Sequence, residues 1–218
     1  MRGLIIKDLK LLKSQRMFLI VVAAGSILFL INGSDPGFVF SYVSAMFSLL
    51  VITTISFDEE NNGMSFIMTL PVSRKKYVLE KYVFGVLLQL VIFVCGTAVF
   101  TVIMAVKQTG SETLLWTELL AQLMMVSAVV QSVTIPVQLK FGASKSRLAL
   151  MLVFLCFAAA VYGTEKIGTV LGIDLEDIWY RLQMIKPQTV MAGIFILAAV
   201  MLGISCAVSV RVMKQKQF

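Results

Sequence analysis

Long apolar stretches separated by short polar segments dominate the chain. Six such runs can be counted, at residues 17–31, 37–57, 82–106, 114–139, 148–162 and 190–210. A helix needs about 20 apolar residues to cross a ~30 Å hydrocarbon core at a rise of ~1.5 Å per residue. The first and fifth runs are short, but snorkelling basic residues before the first and small residues after the fifth extend them. The pattern therefore predicts an all-α, polytopic membrane protein with six transmembrane helices.

The composition supports this interpretation and narrows the possible functions. Hydrophobic residues make up 59% of the 218 residues and charged residues 14%, whereas soluble proteins have about 45–50% and about 25%. After six spans little room is left for a further domain, so we expect a single transmembrane domain over residues 1–218. The chain has no histidine, which excludes His-based triads and His metal sites. Its cysteines, Cys95, Cys156 and Cys206, lie far apart in apolar runs. We expect no catalytic residue and no metal site.

The distribution of basic residues predicts the orientation of the spans. Of the 19 Lys and Arg residues, 15 lie in segments 1–16, 58–81, 140–147 and 211–218. Cytoplasmic loops of membrane proteins carry such an excess. Both termini are therefore predicted to be cytoplasmic, and the net charge of +7 is explained by topology. Because the positive charge is spread over membrane-flanking segments and does not form one patch, we expect no nucleic acid as a partner.

Residues 1–16 combine apolar and basic positions with helical spacing. Ile5, Leu9 and Leu12 share one face, whereas Lys7 and Lys10 lie on another. This pattern is typical of an amphipathic helix lying on the cytoplasmic leaflet, with membrane lipids as its partner. A plain basic tail that only sets the topology is the alternative.

The predicted cytoplasmic segment 58–81 carries the most specific pattern. Met64, Ile67 and Met68 share one helical face, and Phe66 and Leu70 lie beside it. An exposed apolar helix in the cytoplasm either docks in a groove of a partner or lies flat on the lipid, and the pattern leaves both open.

The residues that follow predict a break and a new helix. Pro71 ends the first helix because a proline disfavours the α region for the residue before it, and Ser73 is a suitable N-cap for the next helix. Arg74 would then stand in the first helical turn, where the dipole disfavours cations. We expect anionic lipid headgroups to compensate for this cost.

A resemblance to a known family rests on these residues. The pattern Glu59-x3-Gly63, the stretch 70–75, the triplet Glu80-Lys81-Tyr82 and the opening 3–9 resemble small ABC-2-type permease subunits, which are the membrane halves of bacterial ATP-driven exporters with a type V fold. In particular, the chain is similar to permeases whose ATPases export amphipathic peptides such as phenol-soluble modulins. The resemblance implies a bacterial plasma-membrane protein that pairs with a second permease subunit and with a separate ABC ATPase subunit.

The family's loop between the second and third spans carries a coupling helix that docks in a groove of the ATPase. The resemblance implies that role for Glu59, Glu60, Asn61, Gly63, Phe66 and Leu70, with Pro71, Ser73 and Arg74 forming the hinge to the next span. No G-x-x-x-x-G-K-[ST] motif occurs in the chain, so the usual phosphate-binding loop is absent. ATP and Mg are expected on the partner ATPase, and no cofactor is expected on this chain. A non-transporting membrane sensor or accessory module is the alternative function.

Polar residues in the fourth span form a second candidate site. Ser127, Gln131, Thr134 and Gln138 recur at i, i+4, i+7 and i+11, which aligns them along one helical stripe. They either line a translocation pathway or make hydrogen bonds between helices. The predicted extracellular segment 163–189 contains Trp179 and Tyr180, residues that favour the headgroup level. It resembles the re-entrant helices that close the outer mouth in the family.

Overall fold

The computed structural model describes residues 2–60, 63–70, 72–107, 116, 119–142, 151, 155 and 187–216. Every regular secondary-structure element within these residues is a helix, in agreement with the predicted all-α class. In chain order the helices are α1 (Arg2–Ser14), α2 (Arg16–Ile31), α3 (Pro36–Glu59), α4 (Gly63–Thr69), α5 (Arg74–Lys107), α6 (Leu119–Gly142) and α7 (Pro187–Gln215).

Four of these helices, α3, α5, α6 and α7, are long and apolar enough to cross a membrane. They correspond to the predicted spans 37–57, 82–106, 114–139 and 190–210. Helix α2 has 16 residues and qualifies only together with α1, from which it is bent by 69°. The predicted span 148–162, apart from two helical residues, and the segment 163–189 up to residue 186 lie outside the described residues. The described part of the chain thus contains four candidate spans, or five if the bent pair counts as one, and the six-span topology stays a prediction.

The turn between α2 and α3 shows how local sequence sets the helix boundaries. Gly33 has a φ of +80°, a left-handed conformation that commonly ends a helix and that glycine adopts without strain. Asp35 is the N-cap of α3, and its carboxylate accepts a hydrogen bond from the Phe38 amide at 3.2 Å. Pro36 occupies the first helical position, where its missing amide hydrogen has no intrahelical partner to lose.

Two apolar clusters hold the bundle together. The base cluster lies at the end where α1 and α4 pack, and it joins Leu4, Ile55, Ile67, Tyr77 and Met213 with further residues of α3, α5 and α6. The far cluster lies toward the other end of α3 and α5 and joins apolar residues of α2, α3, α5 and α6. Helix α5 packs against α1, α3 and α7 and so connects the two ends.

Helix α1 forms as predicted, and the structure shows which of its residues are buried against the bundle. Leu4 and Asp8 are buried, whereas Ile6 and Leu9 are 53% and 52% exposed. The spacing of apolar residues did not indicate that Asp8 is buried, and the contact of Ile5, Leu9 and Leu12 with the lipid leaflet stays a prediction. The outer side, with Lys10 and Lys13 beside these exposed apolar residues, has the composition of a helix at a membrane surface.

Candidate functional site

Helix α4, the predicted coupling helix, is seated in the base cluster by its apolar side. Met64 and Ile67 are 3% and 6% exposed and pack with Tyr77, Val78 and Met213. The prediction that this face is free for a partner or for lipid is wrong, because the chain's own helices α3 and α5 cover it. Helical spacing identified the apolar face correctly but could not identify what covers it.

The outer side of α4 is the part that remains accessible. Phe66 is 68% exposed and Leu70 is 44% exposed, and Glu60 and Thr69 are also exposed. We call these four residues the α4 surface. Three of them, Glu60, Phe66 and Leu70, belong to the predicted coupling set, whereas Asn61 and Pro71 lie outside the described residues.

Gly63 allows α4 to begin directly beneath the end of α3. A Cβ atom at this position would lie 2.9 Å from the backbone oxygen of Asp58, closer than a side-chain carbon can approach without a shift of the chain. A glycine at the predicted position thus sets the close approach of the two helices.

Glu59, the last residue of α3, faces inward and contacts two other helical segments. Its carboxylate accepts a hydrogen bond from Lys216 Nζ at 2.7 Å and another from Gln138 Nε2 at 3.2 Å. Only 9% of the Glu59 side chain is exposed. We call Glu59, Gln138 and Lys216 the clasp. Glu59 belongs to the predicted coupling set, and its carboxylate makes these two contacts within the chain; its role as an ATPase contact stays a prediction.

Arg74 stands in the first turn of α5, as predicted, and the structure gives the reason that a cation is tolerated there. Its Nη1 donates to the backbone oxygens of Lys214 at 2.8 Å and Met213 at 3.4 Å, at the end of α7. The last carbonyls of a helix lack partners within it and carry the negative end of the dipole. Ser73 caps α5 as predicted, because its Oγ accepts a hydrogen bond from the Lys76 amide at 3.3 Å.

A buried ion network lies next to α4 and was not predicted. Lys81 Nζ contacts Asp8 Oδ2 at 2.5 Å and Asp58 Oδ2 at 3.0 Å, and it donates to Thr54 Oγ1 at 3.1 Å. Lys7 pairs with Asp58 and, at 3.2 Å, with Asp8. The side chains of Lys81 and Asp8 are fully buried, and that of Asp58 is 5% exposed. This network, defined as Lys7, Asp8, Asp58 and Lys81, ties α1 to α3 and α5.

Two further polar side chains of α5 border the network. The Tyr77 hydroxyl donates to Asp58 Oδ2 at 2.9 Å, so Asp58 has partners from two helices. Glu80 is 1% exposed, and its nearest described cation is Lys81 Nζ at 3.9 Å. The carboxylates of Asp8 and Asp58 are thus the ones that the lysines bind most closely.

The predicted polar stripe of α6 is buried inside the chain. Ser127, Gln131, Thr134 and Gln138 are between 0% and 4% exposed. Ser127 bonds back to its own helix, and Gln138 Nε2 donates to Ser56 of α3 as well as to Glu59. Gln131 packs against Gly85 of α5, where a Cβ atom would collide with it. Whether the stripe also lines a pathway in an assembled transporter remains the prediction made above.

A cavity of about 250 Å³ lies elsewhere, between α2, α3 and α5, and has an apolar lining that includes Val22, Phe40, Val91 and Cys95. In the part of the chain that the structure describes, no group of three or more His, Cys, Asp or Glu side chains is arranged to hold a metal ion. The described residues around the base cluster provide ion pairs and the exposed α4 surface.

One sequence signal could have indicated the ion network. Asp8 is the only acidic residue in segment 1–16, which has five basic residues, and it falls on the side of α1 that packs inward. Lys81 stands just before a long apolar run. Such residues are costly to bury alone, which favours a pairing between them, but their separation in sequence hides the partner.

Comparison with protein families gives one match. The sequence model of the family described as ABC-2 family transporter protein matches residues 3–214. Comparisons with curated proteins and with solved structures give no match. The matched range covers every helix described above except the first residue of α1 and the last residue of α7.

Proposed function

The chain belongs to the ABC-2 transporter family, and on this basis we propose that it is the permease subunit of an ATP-driven exporter whose α4 surface binds a separate ABC ATPase subunit. Membership in this family makes it a multi-pass membrane component of an ABC transporter. ATP hydrolysis belongs to the partner subunit, which is expected to bind ATP and Mg.

The observation that carries the docking proposal is the contrast between the two sides of α4. Phe66 is 68% exposed, although its neighbours Met64 and Ile67 are 3% and 6% exposed. An exposed aromatic side chain on a firmly seated helix is a suitable anchor for a pocket of a partner, and aromatic residues often dominate binding energy. Leu70, which follows the last residue of α4, is 44% exposed and would extend the contact.

The surroundings of α4 support a mechanical role. The ion network fixes the end of α3 and the second turn of α5, which are the two flanks of α4. Packed elements transmit displacement because interiors are dense and poorly compressible. In this proposal, closure of the ATPase subunits moves α4, and α3 and α5 move with it.

The remaining features of the proposal follow from the sequence patterns. The chain would have six spans with both termini in the cytoplasm of a bacterial cell, would pair with a second permease subunit and would contact membrane lipids through α1. The cargo would be hydrophobic or amphipathic, as cytolytic peptides are, and would pass the polar stripe of α6. The bias of 15 among 19 basic residues toward the segments that flank the base supports this orientation.

The test is reconstitution in lipid vesicles with the ATPase subunit that copurifies with the chain from its native membrane. Phe66→Asp should lower the affinity for that subunit by at least about tenfold, which is about 1.4 kcal/mol, since a buried anchor typically contributes more. Phe38→Asp is the matched control, because Phe38 is also about half exposed but stands at the start of α3, far from α4. Equal affinities in the two variants would contradict the docking proposal.

The same vesicles distinguish the exporter from an accessory module. ATP-dependent release of a fluorescent amphipathic peptide from one side of the bilayer is expected for an exporter. Stimulated ATP hydrolysis without movement of any tested peptide, lipid or hydrophobic dye would favour the non-transporting alternative.

A further inference from the structure

Residues that precede and follow α4 in the chain both bind the C-terminal end of α7. Glu59, four residues before α4 begins, accepts a hydrogen bond from Lys216 at 2.7 Å. Arg74, at the start of α5, donates to the backbone oxygens of Met213 and Lys214. The C-terminal end of α7 is therefore bound from both sides of the segment that carries α4.

The end of α6 joins the same group. Gln138 Nε2 donates to Glu59 Oε2 at 3.2 Å and to Ser56 Oγ at 3.0 Å. Gly142, the last residue of α6, has a φ of +73°, and a Cβ atom there would lie 3.7 Å from Glu59 Oε2. The Glu59 carboxylate thus lies where the ends of α3, α6 and α7 meet.

Glu59 is much less exposed than the residues of the α4 surface. The Glu59 side chain is 9% exposed, whereas Glu60 is exposed and Phe66 is 68% exposed. A partner protein could reach the exposed Glu60, whereas the Glu59 carboxylate is already bound by Lys216 and Gln138.

We propose that Glu59 is a positioning residue that, together with Lys216, couples the displacement of α4 to the ends of α6 and α7, and that it does not contact the ATPase. This inference rests on the proposed docking of the ATPase at the α4 surface. It assigns the C-terminal segment of the chain, through Lys216, a part in energy coupling.

The first test is a charge swap in vesicles that contain the full chain and the copurified ATPase subunit. Glu59→Lys and Lys216→Glu should each lower ATP-driven peptide release several-fold, because each places like charges in contact, whereas the double variant should return release to within about twofold of the wild type. Affinity for the ATPase subunit should be unchanged in Lys216→Glu. Glu60→Lys is the matched control, and adding Lys216→Glu should not rescue it.

The outcomes separate this inference from the docking proposal. If Glu59→Lys weakens ATPase binding and the second substitution does not rescue it, Glu59 is a docking contact and the inference fails. If the charge swap rescues release but Phe66→Asp binds the ATPase normally, the docking proposal fails instead. Lys216→Ala, at a residue whose side chain is 28% exposed, provides a variant that should fold and should show the same loss of release.

A second readout follows movement directly. Cys206 lies on α7, ten residues before Lys216, and packs against the base cluster. In a chain whose other cysteines are replaced by alanine, the rate at which a thiol reagent labels Cys206 should change when ATP is added. The change should be absent in Lys216→Glu and present again in the charge-swapped double variant. An unaltered ATP-dependent change in Lys216→Glu would overturn the proposal.

Discussion

Asp58 and Glu59 are adjacent carboxylates at the end of α3, yet they belong to two different groups of charges. Asp58 is 5% exposed and contacts Lys81, Lys7 and the Tyr77 hydroxyl. Glu59 pairs instead with Lys216, whose side chain is 28% exposed. Because successive helical residues point about 100° apart, one carboxylate joins the buried ion network and the other joins the partly solvated clasp.

Because the two groups differ in burial, they should contribute differently to the free energy of unfolding. In the clasp water reaches Lys216, whose side chain is 28% exposed, although only 9% of the Glu59 side chain is exposed. The pair is therefore partly screened and should contribute less to stability than a fully buried one. In a buried pair the desolvation cost roughly offsets the attraction, but removal of one partner leaves an uncompensated charge. Removal of one network residue should therefore destabilise the fold more than removal of one clasp residue, and variation of the clasp should affect coupling more than stability.

The largest effect is expected for Lys81→Met. Lys7 and Lys81 both contact Asp8 and Asp58, and the substitution removes the fully buried one of the two cations. It should destabilise the protein by about 3–5 kcal/mol. Thermal unfolding of the detergent-solubilised chain measures the change. Lys76→Met is the matched control because Lys76 is on the same helix and exposed.

A second substitution tests whether Asp8 and Lys81 interact. In Lys81→Met the buried Asp8 carboxylate loses its contact with Lys81. Adding Asp8→Leu removes this carboxylate, so the double variant should be more stable than Lys81→Met alone. If the second change instead adds its own loss, the two side chains do not interact and the network has been assigned incorrectly.

An intermediate effect should distinguish the two neighbours directly. Asp58→Asn weakens charged hydrogen bonds to Lys81, Lys7 and Tyr77 and should cost about 1.5–3 kcal/mol, whereas Glu59→Gln should cost less than about 1 kcal/mol. Both variants replace a carboxylate by an amide at adjacent positions, so each is the control for the other. Equal shifts in the unfolding temperature would refute the distinction.

The helices and their ends could be predicted from the sequence, whereas the charge pairs could not. Apolar runs gave α3, α5, α6 and α7, and cap chemistry gave the start of α5 at Ser73. Those features depend on neighbours within one helical turn. The partner of Asp8 is 73 residues away, and no local pattern encodes such a distance.

The same limit explains the error at α4 and the unforeseen burial of Asp8 in α1. The helical spacing placed Met64 and Ile67 on one face of α4 and indicated that this apolar face is shielded from water. It could not show that α3 and α5 supply it, and therefore that Phe66 is left outside. In α1 the spacing of apolar residues did not indicate the burial of Asp8, because its partner Lys81 lies 73 residues away in the chain.

The smallest expected effect is the response of the two groups to salt. The Debye length falls from about 30 Å at 0.01 M salt to about 3 Å at 1 M, so the coupling energy between Glu59 and Lys216 should decline over this range. That energy is measured by a double-mutant cycle of Glu59→Gln and Lys216→Met on the unfolding temperature. The corresponding cycle for Asp8 and Lys81, with Asp8→Leu and Lys81→Met, should hardly respond, because water and ions do not reach fully buried side chains. A salt-sensitive Asp8–Lys81 pair would mean that water and ions reach the network. The clasp would then no longer be the more strongly screened of the two groups of ion pairs around α4.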